Sequence, residues 1–433
     1  MIRGVARISL HEFVLRLPAA IFGCLALIVC YRLFHRLAEK RIALLATLLL
    51  ALSPLHVMYS QEVRFYSSLL LFYYLSTELL LDVIERNTLS KWVLFTLVFL
   101  IGGYFHIFVL LSVINGTTWI ILKYSKGERN RSTVVHFLTS LAVACAIIIP
   151  GYLYFGSRQK FDYPLLSWGG SLLREVTLGL GWRELPFTVT TGPGQVWYII
   201  SLGLFLIGVI ACLRRRERMM IAFLVSSVVQ ICIIILADIS KGYWFAYRQI
   251  LHLLPCTLLV SAMGASAFMK ALRDMEKVNE RHKTWLTHIL IGVLLLASIP
   301  ALVDYYQWSK SDARQISEYL STNWSPGDVI LVAPAYQEKV YHYYLQYVFK
   351  KPDMVALIHP SELSDIIEAG VETNDTFLIV VESLSDAEIT QLSQIEFDPI
   401  KTSNRNRWLG QSLFVRKAGV EDRNDFPTKE EPP

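Results

Sequence analysis

Between Tyr59 and Tyr66 the chain places an amide, Gln61, a carboxylate, Glu62, a guanidinium, Arg64, and two phenols within eight residues. They lie in the run Ser53-Pro54-Leu55-His56-Val57-Met58-Tyr59-Ser60-Gln61-Glu62-Val63-Arg64-Phe65-Tyr66-Ser67. A guanidinium holds a phosphate through paired hydrogen bonds, and a nearby carboxylate positions or deprotonates a hydroxyl. Together they have the chemistry of a site for a phosphorylated lipid headgroup. A second reading fits the same residues: Arg64 snorkels to the membrane surface, Glu62 pairs with it, and the tyrosines join an aromatic belt.

The elements that must position these groups are membrane helices. The 433 residues are 54% hydrophobic and 18% charged, with a mean hydropathy of +0.42. A soluble chain carries about 25% charged residues, so a soluble globe is excluded. Ten apolar spans are expected: Leu17–Phe34, Ile42–Val57, Phe65–Ile84, Trp92–Tyr104, Ile107–Ile121, Val134–Tyr154, Val196–Leu213, Met219–Ala237, Ile250–Met269 and Trp285–Val303. Pro54 perturbs the second of them just before the Tyr59–Tyr66 cluster. One set of connecting loops holds 19 Lys and Arg residues in short stretches, and the opposite set holds seven in longer ones. The basic set is therefore assigned to the cytoplasm. That puts residues 1–16, the Glu62–Arg64 turn and everything after Val303 outside.

After Val303 the composition becomes that of a soluble, mainly parallel α/β module. Strands are expected at Val329–Ala333, Met354–Ile358 and Phe377–Val381, with helices at Ser311–Thr322, Tyr336–Val348, Ser361–Ala369 and Ser385–Ser393. The turn Ser325-Pro326-Gly327-Asp328 leads into the first strand. The domain plan is thus a remnant of an outer loop over 1–16, a membrane domain over 17–303, an extracytoplasmic α/β domain over 304–420 and a disordered tail over 421–433. Six cysteines read as small buried hydrophobes, since none has the spacing of a zinc site, and no metal or cofactor is evident. Arg214-Arg215-Arg216-Glu217-Arg218 reads as a lipid anchor rather than a nucleic-acid patch. Asn115-Gly116-Thr117 matches a glycosylation pattern but lies inside a span.

The run Leu15-Arg16-Leu17-Pro18-Ala19-Ala20-Ile21-Phe22-Gly23, followed by a basic loop, an apolar helix and the Ser53–Tyr66 segment, resembles the GT-C fold glycosyltransferases. The nearest branch is the protein mannosyltransferase and aminoarabinose transferase group. Gly103-Tyr104-Phe105-His106 is similar to the family's Tyr-Thr-His segment. Tyr247-Arg248-Gln249-Ile250-Leu251-His252-Leu253-Leu254-Pro255 is similar to its entry to a late, Pro-containing helix. The likeness extends to Asp312-Ala313-Arg314 and Pro326-Gly327-Asp328, the start of the extracytoplasmic domain. It implies a polytopic helical membrane protein in a bacterial inner membrane, with a C-terminal extracytoplasmic α/β domain. It also implies inverting transfer of a sugar from a polyprenyl-phosphate donor to an extracytoplasmic lipid, polysaccharide or protein acceptor. By position Arg64, Arg248 and His106 are expected on the donor phosphate, and Tyr59, Gln61, Tyr66 and Tyr247 on the sugar or headgroup. Membrane lipids are the other expected partners. The outer loop Phe155–Gln195, with Trp168, Arg174, Trp182, Arg183 and Glu184, is a candidate contact for sugar or acceptor.

Members of that group begin with a further helix and a long outer loop that carries the acidic base. Here fourteen residues precede Leu15, and Glu12 is their only acid. The expectation is that the natural gene product or its ancestor has this extra helix and loop. Without them the base falls to Glu62 or Glu12. Two other readings remain at this point, an inactive homologue acting as a binding subunit and a polytopic transporter. Glu78, inside the third span, is the residue a transporter reading would use.

Overall fold

A computed structural model of the chain describes residues 11–125, 131–156, 175–177, 179–181, 193–241, 246–274, 285, 289, 291–296, 299–307, 313–325, 328–333, 338–351, 357–358, 375–380, 390, 392–394, 396–400 and 412–416. It separates into two compact units, Met1–Val303 and Asp304–Pro433.

The first unit is a bundle of apolar helices: α1 (Glu12–Leu37), α2 (Lys40–Ala51), α3 (Pro54–Ser60), α4 (Tyr66–Arg86), α5 (Leu89–Phe105), α6 (Ser112–Ser125), α7 (Arg131–Gly156), α8 (Pro193–Arg215), α9 (Arg218–Lys241), α10 (Leu254–Arg273) and α11 (Ile299–Gln307). Short 3-10 turns, Ile107–Leu111 and Tyr247–Leu253, lead into α6 and α10. Among the described residues seven helical stretches are long and apolar enough to cross a membrane, or eight if α2 and α3 count as one broken span. This is a multi-pass helical membrane protein.

The expected second span, Ile42–Val57, is not continuous. It breaks at Leu52-Ser53, and α3 leaves α2 at 60°. Proline at the first position of α3 removes the donor that would continue the ladder, while Ser53 Oγ accepts the His56 N–H at 3.4 Å and caps the new helix. The fourth expected span is a 17-residue helix, and the tenth, Trp285–Val303, is described at residues 285, 289, 291–296 and 299–303. The helix expected to stop at Val303 runs on to Gln307.

α4 and α10 are buried along most of their length, whereas α1 buries one stripe, Ala19, Gly23, Ala26, Cys30, Leu33, Phe34 and Leu37. Its Leu17, Ile21, Leu25 and Ile28 face outward, as lipid-facing positions do. Lipid tails are as apolar as leucine, so close packing rather than burial holds such helices together. Gly264 of α10 shows the closeness: a Cβ there would stand 1.8 Å from the Leu204 carbonyl oxygen of α8. Cys30, Cys212 and Cys256 are buried as expected, but Cys24 and Cys232 are exposed, on faces that meet lipid rather than protein.

In the second unit the strands β1 (Val329–Ala333), β2 (Leu357–Ile358), β3 (Thr376–Val380), β4 (Asp398–Ile400) and β5 (Ser412–Arg416) order as β2-β1-β3-β5-β4. β1 is parallel to β2 and β3, while β5 is antiparallel to β3 and β4. The sheet is therefore mixed, not mainly parallel, because β4 and β5, which the apolar pattern did not reveal, close it in the opposite sense. Alternate residues serve two layers. Ile330, Val332, Phe377, Ile379, Leu413 and Val415 pack with Ile316 and Leu320 of α12 (Ala313–Asn323), and Leu331, Leu378 and Phe414 pack with Leu392 and Phe397. The helix expected over Tyr336–Val348 is a short α-helix, α13 (Glu338–His342), that widens into a π-helix over Tyr343–Val348. Asp328 forms the expected turn, its carboxylate accepting from Ser325 N at 2.7 Å and Asp375 N at 3.2 Å. The helix expected at Ser361–Ala369 and the tail after 420 lie outside the described residues.

Candidate functional site

The break after α2 decides where the chemistry sits. α3 turns 60° from α2 and packs against α1, and residues 61–65 lead the chain back into α4. Gly23 of α1 makes room for this: a Cβ there would come 2.2 Å from Ser60 Oγ, whose hydroxyl donates to the His56 carbonyl at 2.7 Å. Glu62, Arg64 and Tyr66 are thus presented at the same end of the bundle as the Tyr247 turn.

Tyr66 is the centre of the cluster. Its hydroxyl hydrogen-bonds Arg64 and feels the charges of Arg248 and Glu62. Arg64 Nε stands 3.9 Å from Glu62 Oε2, with 57% of the arginine side chain exposed. That is a loose ion pair, which leaves the guanidinium able to take an anion. The Tyr59 ring packs on Tyr66 at 4.7 Å and on Tyr247 at 6.3 Å between centroids, and the Tyr59 and Tyr247 hydroxyls are hydrogen-bonded to each other. Two cations, a carboxylate and three phenols, from chain segments far apart in sequence, therefore meet at one place.

His106 joins this cluster through Phe65, whose ring lies 4.7 Å from the imidazole and 4.8 Å from Tyr66. It caps the end of α5, and its Nδ1 accepts the Phe108 N–H at 3.1 Å. The ring proton consequently sits on Nε2, which is a donor. Burial lowers the pKa of His106 to about 4, so at neutral pH it offers a hydrogen bond and no charge. Gln61 closes the C-terminus of α3, its N–H donating to the Met58 carbonyl at 3.2 Å. Glu12 lies in the first turn of α1 and pairs with Arg16 at 3.5 Å. Trp168, Arg174, Trp182, Arg183 and Glu184 lie outside the described residues.

Nothing in the sequence pattern marks Glu175. Its Oε2 accepts the Tyr247 N–H at 2.8 Å, which makes it a second carboxylate beside the cluster. Its neighbour Arg174 is among the expected loop contacts, but nothing in a polar loop marks which acid will meet a helix start. At the opposite end of the bundle Glu78 pairs with Arg32 at 2.9 Å and Arg36 with Glu85 at 2.6 Å, while Asp82 takes Arg86 and Lys91. Glu78, in the half of α4 away from Tyr66 and two residues past its middle, is therefore held in an ion pair with Arg32. Among the described residues no three His, Cys, Asp or Glu side chains gather as a metal site.

Residues 1–154 match the family model for dolichyl-phosphate-mannose-protein mannosyltransferases. That region holds Glu12, the Tyr59–Tyr66 cluster and His106. Among solved structures, the apo form of ArnT from Cupriavidus metallidurans superposes with a TM-score of 0.51 at 11% identity, over 94% of this chain and 84% of that one. This chain has the GT-C fold. The undecaprenyl-phosphate-bound form of the same ArnT matches at a TM-score of 0.49 and 11% identity, over 95% of this chain and 85% of that one. No curated protein matches. Arg248 and Glu175 lie beyond the segment that the family model covers, and the structure sets Arg248 within electrostatic range of Tyr66.

Proposed function

We propose that the chain is a membrane glycosyltransferase that moves a sugar from a polyprenyl-phosphate donor to the hydroxyl of an extracytoplasmic acceptor, a lipid, polysaccharide or protein, with inversion at the anomeric carbon. The observation that carries this reading is that Tyr66, at one end of a membrane bundle, hydrogen-bonds Arg64 and lies within the electrostatic field of Arg248. Two guanidiniums on the donor phosphate stabilise the negative charge that grows on it as the sugar leaves. His106 adds a neutral N–H to the same oxygens. Tyr59, Gln61, Tyr66 and Tyr247 supply the flat and polar surfaces that a sugar ring takes. Glu62 is the candidate base toward the acceptor hydroxyl. The family match, whose description names a dolichyl-phosphate sugar, supports the donor class.

In this reading the loops rich in Lys and Arg face the cytoplasm of a bacterial cell, and the Tyr66 cluster and the unit from Asp304 lie outside. The domain plan follows: a membrane catalytic unit to Val303, then an extracytoplasmic α/β domain.

The test is to incubate the purified full chain in lipid nanodiscs with radiolabelled polyprenyl-phosphate mannose and a membrane extract as acceptor source. Label transfer that falls at least about a hundredfold in Arg64→Ala and in Arg248→Ala is the expected result, since such charge-stabilising contacts contribute on that scale. Glu62→Gln is expected to lower the transfer rate about 10²- to 10⁴-fold while leaving donor binding intact, as loss of a general base does. Binding without transfer by the unsubstituted chain would make it a binding subunit, and no binding would end the donor reading.

A further inference from the structure

The 3-10 turn Tyr247–Leu253 carries Arg248 near its start and is fastened at both ends. At its start Glu175 Oε2 accepts the Tyr247 N–H at 2.8 Å, and Gln249 Oε1 accepts the Ala246 N–H at 3.1 Å. Near its end stands His252, fully buried, with Nδ1 3.1 Å from the Gln249 carbonyl oxygen and Nε2 3.2 Å from Gln230 Oε1 of α9. Gln230 Oε1 also accepts from the Tyr73 hydroxyl of α4 at 3.0 Å. Gln230 Nε2 donates to Asn115 Oδ1 of α6 at 3.4 Å, and Asn115 Nδ2 donates to Tyr73 Oη at 2.9 Å and to Thr77 Oγ1 at 3.1 Å. Tyr73, Thr77, Asn115, Gln230 and His252 have no exposed surface.

Rings continue the same connection toward the site. His252 packs on Tyr73 at 4.8 Å and lies 6.2 Å from Phe108, which is 4.8 Å from His106. The polar set therefore lies under the cluster of candidate residues, but none of its members is among them.

Helix adhesion is the simpler role for polar side chains inside a membrane bundle, and each such contact contributes modestly. Adhesion needs only contacts between helices. This set runs through three helices and ends on a stretch that is not α-helical, a 3-10 turn whose own hydrogen bonds have poorer geometry. A side chain that must meet a phosphate oxygen at a fixed place needs its backbone held by surrounding groups, and a shift of about 1 Å is costly to reaction rate. A buried hydrogen-bonded network supplies such rigidity, because breaking one bond strands the other partner in an apolar interior.

We propose that Tyr73, Asn115, Gln230 and His252 are positioning residues that hold the Tyr247–Leu253 turn and so aim Arg248 at the donor phosphate. The proposal rests on the reading of Arg248 as a phosphate ligand. Gln230 is the junction, since its oxygen serves both Tyr73 and His252. The network predicts that its loss acts through Arg248 and not through Arg64, which stands on a different turn.

Two variants test it in the purified full chain. Gln230→Met keeps the volume and removes the junction, and Tyr73→Phe keeps the ring against His252 and removes only the hydroxyl. Hydrogen–deuterium exchange at residues 246–253 should accelerate about tenfold or more in both, with the rest of the bundle unchanged, as a local opening does. Unchanged exchange there, or an equal rise across α4, α6 and α9, would overturn the proposal. Binding of undecaprenyl phosphate should weaken about tenfold in Gln230→Met, by the same factor again when Arg64→Ala is already present, and not at all further in an Arg248→Ala background, the signature of coupled residues. Equal losses in both backgrounds would also overturn it. If the unsubstituted chain binds no undecaprenyl phosphate, the donor reading fails, and the exchange measurement still decides whether the network holds the turn.

Discussion

His106 shows how a residue's chemistry is set by its surroundings. Its Nδ1 is occupied by the Phe108 N–H at 3.1 Å, and burial lowers its pKa from 6.5 to about 4. Between those two pH values the unfolded chain binds a proton that the folded chain refuses, so stability rises with pH through this window. The part of the stability owed to His106 is present above pH 6.5 and is lost as the pH falls toward 4. His106→Gln places an amide N–H near the position of Nε2–H and does not titrate. Thermal unfolding in detergent at pH 7 and at pH 4.5 should therefore show a smaller loss for His106→Gln than for the unsubstituted chain, and equal losses would rule out a neutral buried ring at this position. Glu62 and Arg64 are residues of a different kind. Their types and spacing were enough to suggest phosphate and acid–base chemistry, and their adjacency in sequence made them legible. Glu175 was not legible, because an acid in a polar loop carries no mark of the backbone N–H it will meet.

At the scale of elements, the break between α2 and α3 positions everything else. Pro54 signals a disturbance, but its consequence, a 60° bend between α2 and α3, depends on what α3 packs against. It finds α1 at Gly23, the one residue type that admits Ser60 so closely. A methyl at this position would lie 2.2 Å from Ser60 Oγ and 2.6 Å from Ser60 Cβ. Gly23→Ala should push α3 away from α1 and destabilise the unit by about 1–3 kcal/mol, as overpacking does, with a larger relative loss of donor binding than Gly264→Ala. Adding Ser60→Gly should restore both the melting temperature and the binding. Failure of that second substitution to rescue would show that the contact does not set the position of α3. The polar residues inside the spans were visible in sequence as an asparagine, a glutamine and a histidine within apolar runs. Their mutual contact was not, since Asn115, Gln230 and His252 belong to three elements whose neighbours only packing selects.

For the whole molecule, composition identified a membrane protein and the loop charges proposed its orientation. The ion pairs Arg32–Glu78, Arg36–Glu85 and Lys91–Asp82 gather at the end opposite the Tyr66 cluster. That end is the one assigned to the cytoplasm. Single cysteines at Gln61 and at Lys270, in a chain cleared of its native cysteines, should react differently with a membrane-impermeant thiol reagent in intact cells: labelling at position 61 and protection at position 270. The reverse pattern would place the cluster inside and end the extracytoplasmic reading. The second unit was recognised as α/β from strands and helices alternating along the sequence. Its sheet was only partly foreseen, because the short strand Asp398–Ile400 is too exposed to show an apolar pattern, and β5 takes its antiparallel place from pairing with β3 through Phe377↔Val415 and Leu378↔Phe414.

The solvent in which this chain lives, the approximate limits of most spans and the local chemistry of the Tyr59–Tyr66 run are written in the order of residues. Each of these follows from neighbours within about 20 residues, the length over which an apolar stretch or a turn is written. Tertiary structure decided which distant residues join that run. Arg248 comes within electrostatic range of Tyr66, Glu175 accepts the Tyr247 N–H, and Gln230 links Tyr73 to His252. Helices in lipid choose partners by close packing and by buried hydrogen bonds rather than by hydrophobicity. Those choices depend on shape across the whole bundle, and no short segment contains them.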